Sequence, residues 1–239
     1  MRVLIIKTSS MGDVIHTLPA LTDAALAVPS IKFDWLIEPA FQEIPAWHPA
    51  VATIISAPLR EWRKNFWSSC CSGAIRQFLN NLRTNKYDVV IDAQGLWKSA
   101  ILARLSDSKI YGGFAWQAAR EAAASIFYNQ RISITQDLHA IERNRLLFAK
   151  ILNYSLVTKD VPDYGIDWQQ LAQPLEIKPY LFFLHGTTWQ SKHWPEIYWQ
   201  ELATIAGTHG YEVYMTWATA EQKARVARLA GKVACIKML

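Results

Sequence analysis

The sequence predicts an α/β protein built from two Rossmann-like halves, each a parallel sheet covered by helices. Three observations carry this. Short β-branched and aromatic runs alternate with segments of helical period, the pattern of strand-helix-strand crossovers. The opening strand, glycine turn and helix of "VLIIKTSSMGDVIHTLPALTDAAL" (3–26) return as "YLFFLHGTTWQSKHWPEIYWQELATIAG" (180–207). Between them an aperiodic stretch gathers three prolines, Pro162, Pro174 and Pro179, and reads as a connection.

In chain order, strands are expected at 3–6 (VLII), 33–37 (FDWLI), 52–55 (ATII), 87–93 (YDVVIDA) and 109–113 (KIYGG). Their near-continuous apolar runs suit strands buried on both faces. Helices are expected over 13–28, 72–85, 95–106 and 139–153, where apolar residues recur three or four apart. In the first, Val14, Leu18, Leu21 and Ala25 make the buried stripe and Pro19 a kink. The boundaries that follow are 1–165 for the first domain, 166–178 for the linker and 179–239 for the start of the second. The second half then offers a strand at 211–217, a helix at 220–231 and the run VACIKML, fewer strands than such a domain needs, so it is expected to be incomplete. Two such halves bind ligand in a cleft at the carboxyl ends of their strands.

At 239 residues and 51% hydrophobic, the chain is long enough for a packed core. It has no basic n-region with a long apolar h-region, and no run near the roughly 18 apolar residues of a membrane span. Its three cysteines, Cys70, Cys71 and Cys235, form neither a disulfide framework nor a zinc spacing, which fits a reducing cytosol. The formal charge of +5 is mild, but it concentrates between Arg60 and Lys86, where six basic residues accompany Glu61 alone.

The two glycine turns differ in charge. A helix start presents unpaired N–H groups and welcomes one anion. In the first turn Asp13 is that anion: either an N-cap accepting from the N–H of Ile15 or His16, or a general base with His16 and Thr17 one turn on. The second turn, "HGTTWQSKHWP", holds no acid. Gly186 permits close backbone approach, Thr187 and Thr188 offer hydroxyls, and Lys192 a compact cation, a set that suits a diphosphate or else a plain surface turn. Neither G-x-x-x-x-G-K-[ST] nor G-x-G-x-x-G occurs, which discourages a P-loop enzyme and a nicotinamide oxidoreductase. A base on one wall and phosphate contacts on the other fit group transfer from an activated donor.

The segments "KTSSMGDVIHTLPALTDA", "DAQGLWKSA", "HAIERNRLLFAK" and "FLHGTTWQSKHWPEIYWQEL" together resemble the lipopolysaccharide heptosyltransferases of type I, inverting GT-B glycosyltransferases of family 9, with similarity along essentially the whole chain. The resemblance implies transfer of L-glycero-D-manno-heptose from ADP-heptose to the inner Kdo of Kdo2-lipid A, with no cofactor and no metal. It implies Asp13 as catalytic base and Thr187, Thr188 and Lys192 as diphosphate contacts. "TWATAEQKARVARLA" is similar to the family's W-G-x-x-x-E stretch at the nucleoside, with Ala218 in place of Gly and Gln222 at the Glu position, Glu221 preceding it. The family's D-T-G-x-x-H segment does not follow, so truncation of the donor domain is expected, and with it either a heptosyltransferase or a remnant that binds the acidic glycolipid alone; a type II transferase is a further alternative.

The acceptor is anionic, and basic side chains are expected to meet it: Arg60, Arg63 and Lys64 in "REWRKNFW", interleaved with Trp62, Phe66 and Trp67, and also Arg120, His139 and Arg143. The first group suits reversible contact with the cytoplasmic face of the inner membrane. His139 and Arg143 are four apart and share a helical face; the alternative is that His139 caps the helix and Arg143 pairs with a Glu. "DAQGL" reads as a positioning turn, with Asp92 as a second acid the lesser option.

Overall fold

The computed structural model describes residues 1–65, 68, 72–156, 161–167, 179–187 and 190–239. The chain forms two compact units, Met1–Leu171 and Ala172–Leu239. The first holds a six-stranded, all-parallel sheet in the order β3-β2-β1-β4-β5-β6. Its strands are β1 (Arg2–Ile6), β2 (Lys32–Ile37), β3 (Val51–Ser56), β4 (Lys86–Asp92), β5 (Asp107–Phe114) and β6 (Gln130–Ile132). Its helices are α1 (Met11–Ile15), α2 (Leu18–Ala27), α3 (Glu43–Ala46), α4 (Leu59–Lys64), α5 (Ala74–Thr84), α6 (Trp97–Leu105) and α7 (Ala140–Leu152).

Successive residues of β1 enter opposite cores, which is why the run must be apolar throughout. Val3 and Ile5 pack with Leu18 and Leu21 of α2 and Leu147 and Phe148 of α7. Leu4 and Ile6 pack with Phe78 and Leu82 of α5 and Ala103 of α6. Each of the Val, Leu, Ile and Phe side chains contributes about 1.5–3 kcal/mol on burial. The expected first helix is two helices: the chain breaks at His16 and Thr17, and Pro19 enters at the second position of α2, where its missing N–H leaves no bond unmade. The break shifts the stripe, so Ala24 rather than Ala25 lies fully buried with Val14, Leu18 and Leu21. Strand β6, with only Ile132 buried among its three residues, was not foreseen.

The second unit holds a parallel sheet in the order β7 (Tyr180–Phe182), β8 (Glu212–Met215), β9 (Ile236–Met238), with α8 (Glu196–Thr208) and α9 (Ala220–Ala230). Val213, Met215, Val226 and Leu229 are the centre of its core, while all three residues of β7 are exposed. Of the expected linker, 166–178, only 166 and 167 are among the described residues.

Within the first unit, the segment 161–167 packs against the core through Tyr164 and Ile166. Gly165, at φ +64°, lies against His48, and a Cβ there would meet the ring Nε2 at 2.5 Å. His48 is buried; its Nδ1 accepts from the Ala50 N–H at 3.1 Å, which leaves Nε2 to donate to Thr22 Oγ1 at 3.0 Å. Burial pushes the ring's pKa from 6.5 down to about 4, against the opposing charge of Asp163. The folded ring is therefore neutral while the unfolded one gains a proton below pH 6.5, so stability falls as pH drops from 6.5 to 4. We expect a loss of about 3 kcal/mol over that window. Denaturant titrations across it should show a steeper loss of stability in the wild type than in His48→Gln.

Candidate active site

A cavity of about 370 Å³ opens at the carboxyl ends of β1, β4 and β5, beside the point where the strand order reverses direction from β1. Lys7 follows β1, Ala93 and Gln94 follow β4, and Phe114 ends β5; Asp13, Arg120 and Arg143 complete its chemistry. All of these residues belong to the first unit.

Asp13 is not an N-cap. Ser10 occupies that position, and Asp13, at the third position of α1, reaches back to it: Oδ2 accepts from the Ser10 N–H at 3.1 Å and from Ser10 Oγ at 2.9 Å. This is the acidic half of a capping box. Because α1 has five residues, little dipole stands behind the carboxylate. Nearby cations and the Ser10 hydrogen bonds hold its charge instead. Burial pushes its pKa up, but the Lys7 charge, the two Ser10 bonds and Arg120 together outweigh burial and bring it below the usual carboxylate value.

Lys7 is 7% exposed, and its Nζ donates to the Ala93 carbonyl at 2.9 Å. Trp35 Nε1 donates to the Lys7 carbonyl at 3.0 Å, which fixes the residue at the end of β1. Burial lowers the pKa of the ammonium, with Asp13 and Asp92 raising it in part. Arg143, on α7, donates through NH2 to the Ala118 carbonyl and lies over the Phe114 ring at 5.0 Å; its Nε is buried without a hydrogen-bond partner. The Glu pairing considered for Arg143 is not among its described contacts. Three cations against one carboxylate make the cavity suited to an anionic guest bearing a hydroxyl.

The DAQG turn is structural in the way its sequence suggests. Asp92 is fully buried: Oδ1 accepts from the N–H groups of Gln94 (2.8 Å) and Gly95 (3.1 Å), Oδ2 from Ser99 Oγ (2.7 Å) and Tyr128 OH (2.6 Å). With all four bonds committed it is not an available second acid.

The other expected acceptor residues lie apart from the cavity lining. His139 caps α7, its Nδ1 accepting from the Ile141 N–H at 3.3 Å, and its ring meets that of His16 edge-on at 5.3 Å. Arg60, Arg63 and Lys64 are exposed on α4. Trp62 turns inward, 5.1 Å from the Phe78 ring in the second core, because the apolar side of α4 must cover the sheet. Phe66 and Trp67 lie outside the described residues.

The expected donor residues belong to the second unit. Thr187 accepts from His193 Nε2 through its carbonyl at 2.9 Å, Lys192 is exposed at the end of a short 3₁₀ turn, and Thr188 lies outside the described residues. Gln222 has its Oε1 engaged by the Ala218 N–H at 2.8 Å and lies against Gly186, where a Cβ would come within 3.0 Å of its Nε2. It braces two loops, an occupation that its place in the sequence did not reveal. Glu221 is exposed in the first turn of α9.

Sequence reasoning missed Lys7, Gln94 and Asn144. Lys7 had a legible signal: a lysine directly after a fully buried parallel strand sits where ligands bind. Asn144, whose Nδ2 donates to the His16 carbonyl and Thr17 Oγ1, had none. Among the described residues no group of three or more His, Cys, Asp or Glu side chains could hold a metal ion, and no helix is long and apolar enough to cross a membrane.

Comparison with known proteins places the chain in a family. The sequence profile of glycosyltransferase family 9 (heptosyltransferase) matches residues 75–239. Lipopolysaccharide heptosyltransferase 1 of Pseudomonas aeruginosa is 52% identical over 231 residues, covering 97% of this chain and 65% of its own length. The solved structure of E. coli heptosyltransferase WaaC with ADP superposes with a TM-score of 0.94 at 46% identity, covering 100% of this chain and 75% of that one. The same enzyme with ADP-2-deoxy-2-fluoro heptose gives a TM-score of 0.93. The chain thus spans about 65% of the length of the Pseudomonas relative.

The order of charges around Asp13 is testable. Lys7→Met removes the largest influence holding its pKa down while burial remains, so the titration midpoint of the Asp13 carboxyl, followed by 13C NMR, should rise. Arg120→Met should raise it less.

Proposed function

Because the chain belongs to glycosyltransferase family 9, the heptosyltransferases, we propose that it transfers L-glycero-D-manno-heptose from ADP-heptose to the inner Kdo of Kdo2-lipid A during assembly of the lipopolysaccharide inner core. The observation that carries this reading is a cavity lined together by Asp13, Lys7, Arg120 and Arg143. Kdo is a sugar acid with free hydroxyls: the cations would hold its carboxylate, and Asp13 would face the hydroxyl that reacts.

In this reaction the acceptor hydroxyl oxygen forms a bond to the anomeric carbon of heptose from the face opposite the nucleotide. The bond to the diphosphate breaks and its electron pair leaves on ADP; configuration inverts, and the hydroxyl proton passes to Asp13. A carboxylate with a lowered pKa is a weak base, so transfer comes late, once the oxygen has become acidic by bonding to an oxocarbenium-like carbon. Lys7 keeps Asp13 ionised and ready to accept that proton.

The first unit then holds the acceptor and the second the donor. The likeness to WaaC structures described with ADP and with a fluorinated ADP-heptose supports the donor assignment. Thr187, Thr188 and Lys192 meet the diphosphate and stabilise the charge growing on it; Glu221 and Gln222 lie toward the nucleoside. No cofactor or metal enters the scheme. Arg60, Arg63 and Lys64 add reversible contact with the anionic cytoplasmic face of the inner membrane, at about 1 kcal/mol each.

Asp13→Ala should keep ADP-heptose binding and lower transfer by about 10²–10⁴-fold in the full-length protein. Retained turnover would remove Asp13 as base. A second reading, acceptor binding without transfer, rests on the same cavity, whose lining residues all belong to the first unit. Sedimentation with Kdo2-lipid A vesicles in the absence of any ADP-heptose binding would select it.

A further inference from the structure

We propose that Gln94 is a positioning residue for the reaction, and that the turn carrying it sets both the base and a cation of the acceptor cavity. The proposal rests on the assignment of Asp13 as base. Gln94 is 5% exposed and lines the cavity. Its Oε1 accepts from the Thr8 N–H at 3.0 Å and the Ser9 N–H at 3.3 Å, with Thr8 Oγ1 at 3.5 Å. The next residue along, Ser10, supplies the two hydrogen bonds that seat Asp13. The segment 8–10 has no regular secondary structure of its own, so an acceptor from β4's turn takes the place of a ladder partner for its amides.

Gly95, the neighbour of Gln94, does the corresponding work on the other side. Its carbonyl accepts from the Glu121 N–H at 3.0 Å, and at a φ of +68° it lies so near the Arg120 segment that a Cβ would stand 3.3 Å from the backbone nitrogen of Arg120. Glu121 Oε2 in turn accepts from the Trp97 N–H at 2.8 Å. Residues 94 and 95 are themselves fixed by Asp92. One buried carboxylate thereby holds a turn whose two residues reach the segment before Asp13 and the segment that carries Arg120.

An amide suits position 94 better than an acid. Gln accepts the two N–H bonds while staying neutral, which leaves the Lys7 charge to Asp13 and the guest. A Glu there would accept the same bonds but place a second negative charge beside both.

Two variants and a control test this in the full-length protein. Gln94→Met keeps the shape and removes the acceptor; kcat should fall about 100-fold, with KM for the sugar-nucleotide donor unchanged, since a misplacement near 1 Å carries a penalty of that order. Gln94→Glu restores the acceptor; kcat at its plateau should return to within a few-fold of wild type, with the acid limb of the pH–rate profile displaced upward by about one pH unit. Wild-type kcat in Gln94→Met, or an unshifted acid limb in Gln94→Glu, overturns the proposal, and the second decides alone if the Met variant does not fold. Asp13→Ala in the same assay separates the two levels: turnover there sinks the base itself, whereas an inactive Asp13→Ala beside a fully active Gln94→Met sinks only the role of Gln94.

Discussion

The first unit depends on keeping one carboxylate satisfied out of reach of bulk solvent. Asp92 ends the central strand β4 with no exposed surface, and burial raises its pKa against the hydrogen bonds of Tyr128, Ser99, Gln94 and Gly95. A hydrogen bond to a charged group is worth about 1.5–3 kcal/mol, and leaving such a group unmet costs at least as much. The fold is shaped to supply these partners. Gly113 on the adjacent strand has no side chain because the Tyr128 ring occupies its space: a Cβ there would stand 2.4 Å from the ring carbon Cε2. Ser99 sits one turn into α6 so that its hydroxyl can reach back. The helix start, the edge of the sheet and the cavity wall are therefore parts of one hydrogen-bonded arrangement.

Chemistry at the cavity follows from a second burial. An ammonium at the end of β1 is expensive to desolvate, and Lys7 remains there because Asp13 and Asp92 lie close enough to favour its charge. The benefit is mutual, since Lys7 is also the foremost influence keeping Asp13 ionised. Sheet topology places this pair. The order reverses at β1, so the residues just beyond β1 and β4 border an opening that no crossover helix fills.

The second unit uses side chains differently. His185 is buried, its Nε2 against the Thr216 carbonyl at 2.8 Å, and Gln222 bonds Ala218 while packing on Gly186. These contacts bind the 183–187 turn to the loop after β8. A side chain expected from its position to lie at the nucleoside has its carbonyl oxygen engaged by the Ala218 backbone, which leaves its amide protons for donor contact.

The strand-helix alternation, the doubled opening motif and the interest of Asp13, Arg120 and Arg143 were all written in local sequence. Hydrophobic period reports which faces are buried, and ionisable residues in turns stand out against it. The break at His16, strand β6 and the inward turn of Trp62 were not, since each is decided by what packs on it. Least legible was the support of the site. Gln94 is some eighty-five residues from the amides it holds, Tyr128 is thirty-six from Asp92, and Asn144 is more than a hundred from His16. Such partners are chosen by strand order and register, which bring distant segments to one sheet end. A sequence names the groups able to do chemistry, but only the folded sheet determines which buried polar atoms meet and hold them in place.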